Sequence, residues 1–299
     1  MTTQRDVLHR FMLERAGVRG VLVRLGASWR EVAARADYAA PIRTLLGECL
    51  TASALLTGPI KFDGALSLEL KSRGDLRLLF AECTERGRLR GLARTGDGAE
   101  WDADIDLSGL PQATLAITIG NVETGSRYQG LVDLQDARLE QAIEGYFARS
   151  EQLPARLVLV VGEHETAGLL LQKMPAEGGH DAPGDSDGWD RVQHLTTTLT
   201  NAELLELPVE QLLYRLYHEE NVRLFDPQPL AFGCSCSAQR VQAMLRALGS
   251  EEADAALEAN DGVVEVTCEF CAAQYRYDRV DVERLFSVVP SAPASSSSH

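Results

Sequence analysis

Gly233–Arg240 reads GCSCSAQR, and Thr267–Tyr275 reads TCEFCAAQY. The two stretches hold four of the chain's six cysteines, spaced C-x-C, then 31 residues, then C-x-x-C. Tetrahedral zinc takes four soft ligands about 2.3 Å away, and two closely spaced pairs supply them once folding brings the pairs together. The spacing therefore predicts one zinc ion on Cys234, Cys236, Cys268 and Cys271 in the reduced state. A unit of about sixty residues buries little apolar surface. Structural zinc contributes about 10–16 kcal/mol of apparent folding free energy in zinc-finger peptides, which meets that shortage.

Two uses of such a centre stay open on spacing alone. One is a structural knuckle. The other is a switch, because metal-bound cysteines are thiolates, the form that oxidants attack. Each pair is close enough in sequence to join to itself. A Cys234–Cys236 bridge would close a very small, strained and readily reduced ring. Oxidising both pairs would remove every ligand at once. Cys49 and Cys83 have no partner spacing and read as plain buried or semi-buried thiols.

Around the cysteines, Ser237 can cap a helix with a Val241, Met244, Leu245, Leu248 face, ended by Gly249. Asp261-Gly262 turns the chain into a strand with Val264 and Val266, and a second strand carries Tyr275 and Tyr277. A last helix over Val280–Val289 precedes PSAPASSSSH, a low-complexity tail expected to be disordered.

Upstream, composition breaks after Met174. Pro175–Arg191 holds four Gly, two Pro and five acidic residues, which predicts no packed core there. Thr200 with Glu203 makes a capping-box pattern. Val209, Leu212, Leu213, Leu216 and Tyr217 then mark one apolar helix face. Across Pro175–Leu230 there are 3 basic and 11 acidic residues, more than half of the whole chain's excess charge of −15. An apolar stripe that needs a partner, on a segment whose charge opposes docking, predicts a metastable, mostly helical linker.

The first 174 residues read as an α+β domain. Helical periodicity falls near Asp6–Ala16, Ser28–Arg35, Ile42–Leu56 and Arg138–Arg149. Lys61–Gly64 turns into a strand in which Leu66, Leu68 and Leu70 alternate with polar residues. Further strands fit Leu76–Ala81, Thr114–Ile119, Gln129–Leu134 and Arg156–Val161. Strands and helices are segregated, which argues against a doubly wound parallel sheet. The expected organisation is a core domain at 1–174, an acidic linker at 175–230, a zinc-binding redox domain at 231–289 and a tail at 290–299.

The chain of 299 residues has 29 basic and 44 acidic side chains, a field that repels phosphate backbones. Nucleic acid is therefore not an expected partner. No run approaches eighteen apolar residues, so no membrane partner is expected. The first thirty residues lack an apolar signal core, which points to the cytoplasm. Enzyme motifs fail on inspection. His218-Glu219-Glu220 lacks the second histidine of a zincin, since position 222 is Val. Gly26–Arg30 lacks the closing glycine of a nucleophile elbow, and no GK[ST] loop exists. Cys268-Glu269-Phe270-Cys271 lacks the βαβ setting of a thiol–disulfide oxidoreductase, and the acidic balance disfavours a nucleic-acid-binding zinc ribbon. The sequence points to a protein that is not an enzyme.

These cysteines and their surroundings resemble the redox-regulated thirty-three-kilodalton heat-shock chaperone family of bacteria. The resemblance runs through DVLHRFMLE (Asp6–Glu14), LLTGPIKFDG (Leu55–Gly64), RYQG (Arg127–Gly130), YFARSEQLPARL (Tyr146–Leu157), LLLQKMPA (Leu169–Ala176), LYRLYHEE (Leu213–Glu220) and both cysteine motifs. It implies an ATP-independent holdase, inactive while reduced and zinc-bound. Oxidation together with unfolding conditions would pair Cys234 with Cys236 and Cys268 with Cys271, release zinc and unfold the linker. The protein would then dimerise and hold unfolding client proteins. The Val209–Tyr217 stripe and the surface it masks are the expected client site.

Overall fold

The computed structural model describes residues 6–287 apart from 97, 100, 102–103, 122–124 and 176–186. The tail expected at 290–299 and most of the Gly/Asp-rich stretch lie outside the described residues. The chain is mixed α+β and divides into two compact units, Met1–Gly233 and Cys234–His299.

The first unit is built on two six-stranded sheets. One contains β1 (Val7–Leu13), β2 (Val18–Leu25), β8 (Ala155–Val161), β9 (Thr166–Lys173), β10 (Val222–Leu224) and β11 (Gln228–Pro229). Its order is β10-β1-β2-β9-β8, with β11 also on β1, and every pairing is antiparallel. The other contains β3 (Gly64–Lys71), β4 (Leu76–Thr84), β5 (Arg88–Thr95), β6 (Thr114–Asn121), β7 (Arg127–Val132) and β12 (Ala231–Phe232). Its order is β12-β5-β4-β3-β6-β7, and only the two-residue β12 joins in parallel.

Helix α1 (Ala27–Ala33) has no side-chain cap of its own. Asp6 supplies one from a distance, its carboxylate accepting from the Gly26, Ala27 and Ser28 amides at 2.8–3.1 Å. Helix α2 (Ala40–Thr57) lies between the sheets, touching β2, β8 and β9 on one side and β3, β4 and β5 on the other. Its sequence is apolar nearly all round, as a helix buried on every face must be. The approach is close: a Cβ on Gly168 would sit 2.7 Å from Leu55 Cδ1. Helix α3 (Leu139–Tyr146) runs on into a wider turn, Phe147–Glu151.

The opposite face of the first sheet is also covered. Helices α4 (Gly188–Thr197), α5 (Asn201–Glu206) and α6 (Val209–Tyr217) form a second core with it, joining Phe11, Leu13, Val18, Leu22, Leu169 and Leu171 to Val192, Leu204, Leu212, Leu213, Leu216 and Tyr217. This two-sided burial explains a correction. Asp6–Ala16 is not a helix but contains β1, which is inserted between β2 and β10. Leu8 points into one core and Phe11 and Leu13 into the other, so the strand shows no polar alternate and its apolar spacing imitates a helix. β2 and β9 are buried along nearly their whole length for the same reason.

The second unit contains α7 (Ala238–Leu248), α8 (Ser250–Ala259), the hairpin β13 (Val263–Thr267) and β14 (Gln274–Asp278), and α9 (Arg279–Ser287). Ser237 caps α7 as expected, its hydroxyl accepting from the Arg240 amide. Gly249, at φ +107, ends α7 and starts α8 at once, a helix the sequence reading passed over. Its buried core is small: Val241, Leu245, Ala253, Leu257, Val264, Tyr277, Val282 and Leu285.

Candidate metal centre

Cys234 and Cys236 sit in the open segment between Gly233 and the capping Ser237. Cys268 directly follows β13, and Cys271 ends the tight turn after it. That turn is held by the Ala272 amide donating to the Cys268 carbonyl (2.7 Å) and the Cys268 amide donating to the Ala273 carbonyl (2.9 Å). It needs a left-handed residue and places Ala272 there at φ 57, where glycine would be free of strain. The folding of the hairpin thus presents one pair of thiols, and the start of α7 presents the other.

The four Sγ atoms lie within 4.8 Å of one another. Cys234 Sγ is 3.6 Å from Cys268 Sγ, and Cys236 Sγ is 3.3 Å from Cys271 Sγ. Sulfurs bound tetrahedrally at about 2.3 Å stand about 3.8 Å apart, so this cluster has the size of a four-thiolate cage and could hold a metal ion. None of the six cysteines is joined in a disulfide.

Hydrogen bonds reach the cage sulfurs. The Cys236 amide donates to Cys234 Sγ at 3.4 Å, and the Tyr275 hydroxyl donates to Cys236 Sγ at 3.1 Å. The hydroxyl is the chief reason the Cys236 thiol is lowered to about 7. Burial pushes Cys271 up to about 12 and raises Cys234. One thiolate forms easily among four crowded sulfurs and further negative charge is resisted, which a bound dication would relieve. Cys49 and Cys83 are buried in the first unit as expected, and burial pushes Cys83 up to about 12.

The predicted apolar stripe lies in the first unit. Val209, Leu212, Leu213, Leu216 and Tyr217 are all buried against the first sheet, with Tyr217 stacked on Phe11 at 6.4 Å between ring centroids. Thr200 and Glu203 form the predicted capping box on α5. Several polar groups that pin these helices went unread in the sequence. Arg24, buried in β2, donates to the Leu204 carbonyl at 2.8 Å. The hydroxyls of Tyr217 and Thr196 meet at 2.7 Å.

Arg191 grips Glu220 with two bonds, at 2.6 and 3.0 Å, and Glu220 has no exposure at all. His218–Glu220 is a short 3-10 turn that ends α6, with His218 and Glu219 exposed and only the Glu220 carboxylate locked inside. Likewise Gly188–Arg191 belongs to α4, with Trp189 packed on the second core, although the whole of Pro175–Arg191 was expected to stay unpacked. Partners 29 residues apart leave no local signal.

An all-antiparallel sheet with both faces covered, joined in sequence to a small α/β unit that gathers four thiols, defines a two-unit protein with a candidate thiolate metal centre. The profile described as Hsp33 protein matches residues 6–278. The chain is 45% identical over 299 residues to a 33 kDa chaperonin of Nitrosococcus oceani, covering 99% of both chains. It is 43% identical over 295 residues to one of Ectopseudomonas mendocina, covering 98% of this chain and 99% of the relative. The crystal structure of the 33 kDa chaperonin of Thermotoga maritima superposes with a TM-score of 0.77 over 94% of this chain and 98% of that one, at 19% identity, and so shares the fold. The protein belongs to the Hsp33 family. Among the described residues, no helix is long and apolar enough to cross a membrane.

Proposed function

We propose that this protein is an ATP-independent, redox-controlled holdase of the cytoplasm and not an enzyme. The four-sulfur cluster carries the reading, with membership of the Hsp33 family and the relatives' name of chaperonin in support. In the reduced state Cys234, Cys236, Cys268 and Cys271 hold one zinc ion. Zinc is favoured by four cysteine donors in a tetrahedral-sized cage. When bound, the ion keeps the sulfurs as thiolates and cross-links α7's entry to the hairpin.

Oxidation joins Cys234 to Cys236 and Cys268 to Cys271. Each new S–S bond releases two electrons, which reduce one peroxide O–O bond to two waters. With no thiolate left, the small core of the second unit loses its cross-link. Gly233, next to Cys234, is held to the second sheet by its amide bond to the Leu89 carbonyl (2.9 Å), and the short strands β12, β11 and β10 lead back to α6. Slackening at Cys234 therefore reaches the acidic segment at 175–230, which acts as the metastable linker between a core domain at 1–174 and the redox domain at 231–289.

Release of α4–α6 bares Phe11, Leu13, Leu22, Leu169 and Leu171 on the sheet, and the Val209–Tyr217 stripe on the helices. Apolar surface of that extent on a strongly charged body captures unfolding clients while staying soluble, and lets two copies associate. Light scattering of a thermally aggregating client tests this. Zinc-loaded reduced protein should leave aggregation untouched, and protein treated with peroxide at raised temperature should suppress it as zinc leaves. Equal suppression by both samples would overturn the redox control.

A further inference from the structure

The side chain of Tyr275, which is not itself a ligand, contacts the cage. Tyr275 lies on β14 opposite Val266 of β13, its ring half-buried at the margin of the small core. Its hydroxyl reaches Cys236 Sγ at 3.1 Å. Tyr277 stands two residues on, hence on the same face of the strand, and its hydroxyl donates to the Ala238 carbonyl at 3.3 Å. Two phenols from one strand thus tie the hairpin to Cys236–Ala238, one at a sulfur and one at the backbone. The difference in acceptor separates a tuning role from a structural one.

We propose that Tyr275 is a positioning residue of the metal centre: its hydroxyl orients the Cys236 sulfur toward the ion and restrains that sulfur from attacking oxidants. A donor to a metal-bound thiolate fixes the direction of the ligand and keeps it on the metal, and loss of such outer partners typically costs about 10–100-fold in metal affinity. The same bond draws on the lone-pair density with which the sulfur attacks a peroxide. In that attack an S–O bond forms, the O–O bond breaks, hydroxide leaves and the sulfur gives up two electrons. A second cysteine thiolate then displaces the oxygen as hydroxide and completes a disulfide. Without the hydroxyl, the centre should hold zinc less tightly and discharge it sooner under peroxide.

The inference rests on the four-thiolate reading of the site. The test uses full-length protein with Tyr275→Phe, which keeps the ring, beside Tyr277→Phe, which removes the phenol bonded to backbone. In competition with a chromogenic chelator, Tyr275→Phe should bind zinc about 10–100-fold more weakly, and Tyr277→Phe should stay within about twofold of wild type. With cobalt(II) in place of zinc, the sulfur-to-metal charge-transfer band should move in Tyr275→Phe alone. Zinc release under peroxide should be several-fold faster in that variant. Wild-type affinity and an unshifted band in Tyr275→Phe would overturn the proposal, as would equal losses in both variants, which would mark a merely structural pair. If wild type took up neither metal, the four-thiolate reading itself would fall.

Discussion

The layer between the two sheets and the core of the second unit solve the same problem with different means. Around α2, two six-stranded sheets bury a continuous apolar mass from Leu8 to Leu230. The second unit, with two short strands and three helices among its described residues, buries eight side chains there, four of them valine or smaller (Val241, Ala253, Val264 and Val282). Each fully buried aliphatic side chain is worth about 1.5–3 kcal/mol, against about 1–2 kcal/mol of backbone entropy for every residue ordered. The first unit can stand on burial alone. In the proposed reading, a metal bound in the cage would supply what the second lacks.

Between these extremes lie α4–α6, whose core is apolar but whose segment is acidic and whose attachment depends on a few polar pins. Apolar burial is thus graded along the chain, and under the proposed mechanism an oxidant would act on the least buried part and leave the most buried one intact.

The largest expected effect breaks the comparison at the cage. Cys268→Ser, or chelation of the wild type, should remove a contribution of about 10 kcal/mol to the folding of the second unit. Amide signals of α7–α9 should collapse in a two-dimensional NMR spectrum while those of α2, β3 and β9 persist. Persistence of both sets would show that the second unit is held by burial after all. Cys49→Ser, deep in the first unit, should leave metal content unchanged.

A smaller effect sharpens the intermediate layer. Arg191→Met leaves the fully buried Glu220 without its counter-charge, and stranding one partner of a buried pair costs about 3–5 kcal/mol. Hydrogen exchange should accelerate across α4 and α6 in the reduced protein, with α2 unchanged. Were exchange to rise equally in α2, the helices would be part of the main core and not a detachable layer.

These same layers explain what could be read from the sequence. Local chemistry was legible: the cysteine spacing, the Ser237 cap, the Thr200–Glu203 box, the stripe on α6 and the alternation of β3 each involve residues within a few positions of one another. β1, β2 and β9 were not, because a strand covered on both faces has no polar face to set its period. Nor were the pins, since Arg24 meets Leu204 and Arg191 meets Glu220 across the fold. At the cage the four sulfurs were legible and the Tyr275 hydroxyl was not, lying 39 residues from the sulfur it contacts.

The finest prediction concerns the strongest layer, which carries one weakness of its own. Glu48 on α2 lines a cavity of about 230 Å³ that it shares with Asp104, Arg138 and Glu140. Burial, then the neighbouring Glu140, push its carboxyl up to about 8, and Arg138 only partly opposes them because it is bonded to Glu140 at 2.8 Å. The folded state therefore holds this proton more tightly than the unfolded state. Stability should be greatest below the ordinary carboxylate range, near pH 4.5, and should decline as pH rises toward 8. The slope from this one group is at most about 1.4 kcal/mol per pH unit. Glu48→Gln removes the titration while preserving shape, so its first-unit urea midpoint should fall less than that of wild type over pH 5–8 and exceed it at the alkaline end. Parallel profiles for the two proteins would mean that Glu48 is solvated, and that the core around α2 tolerates its charge as easily as the surface would.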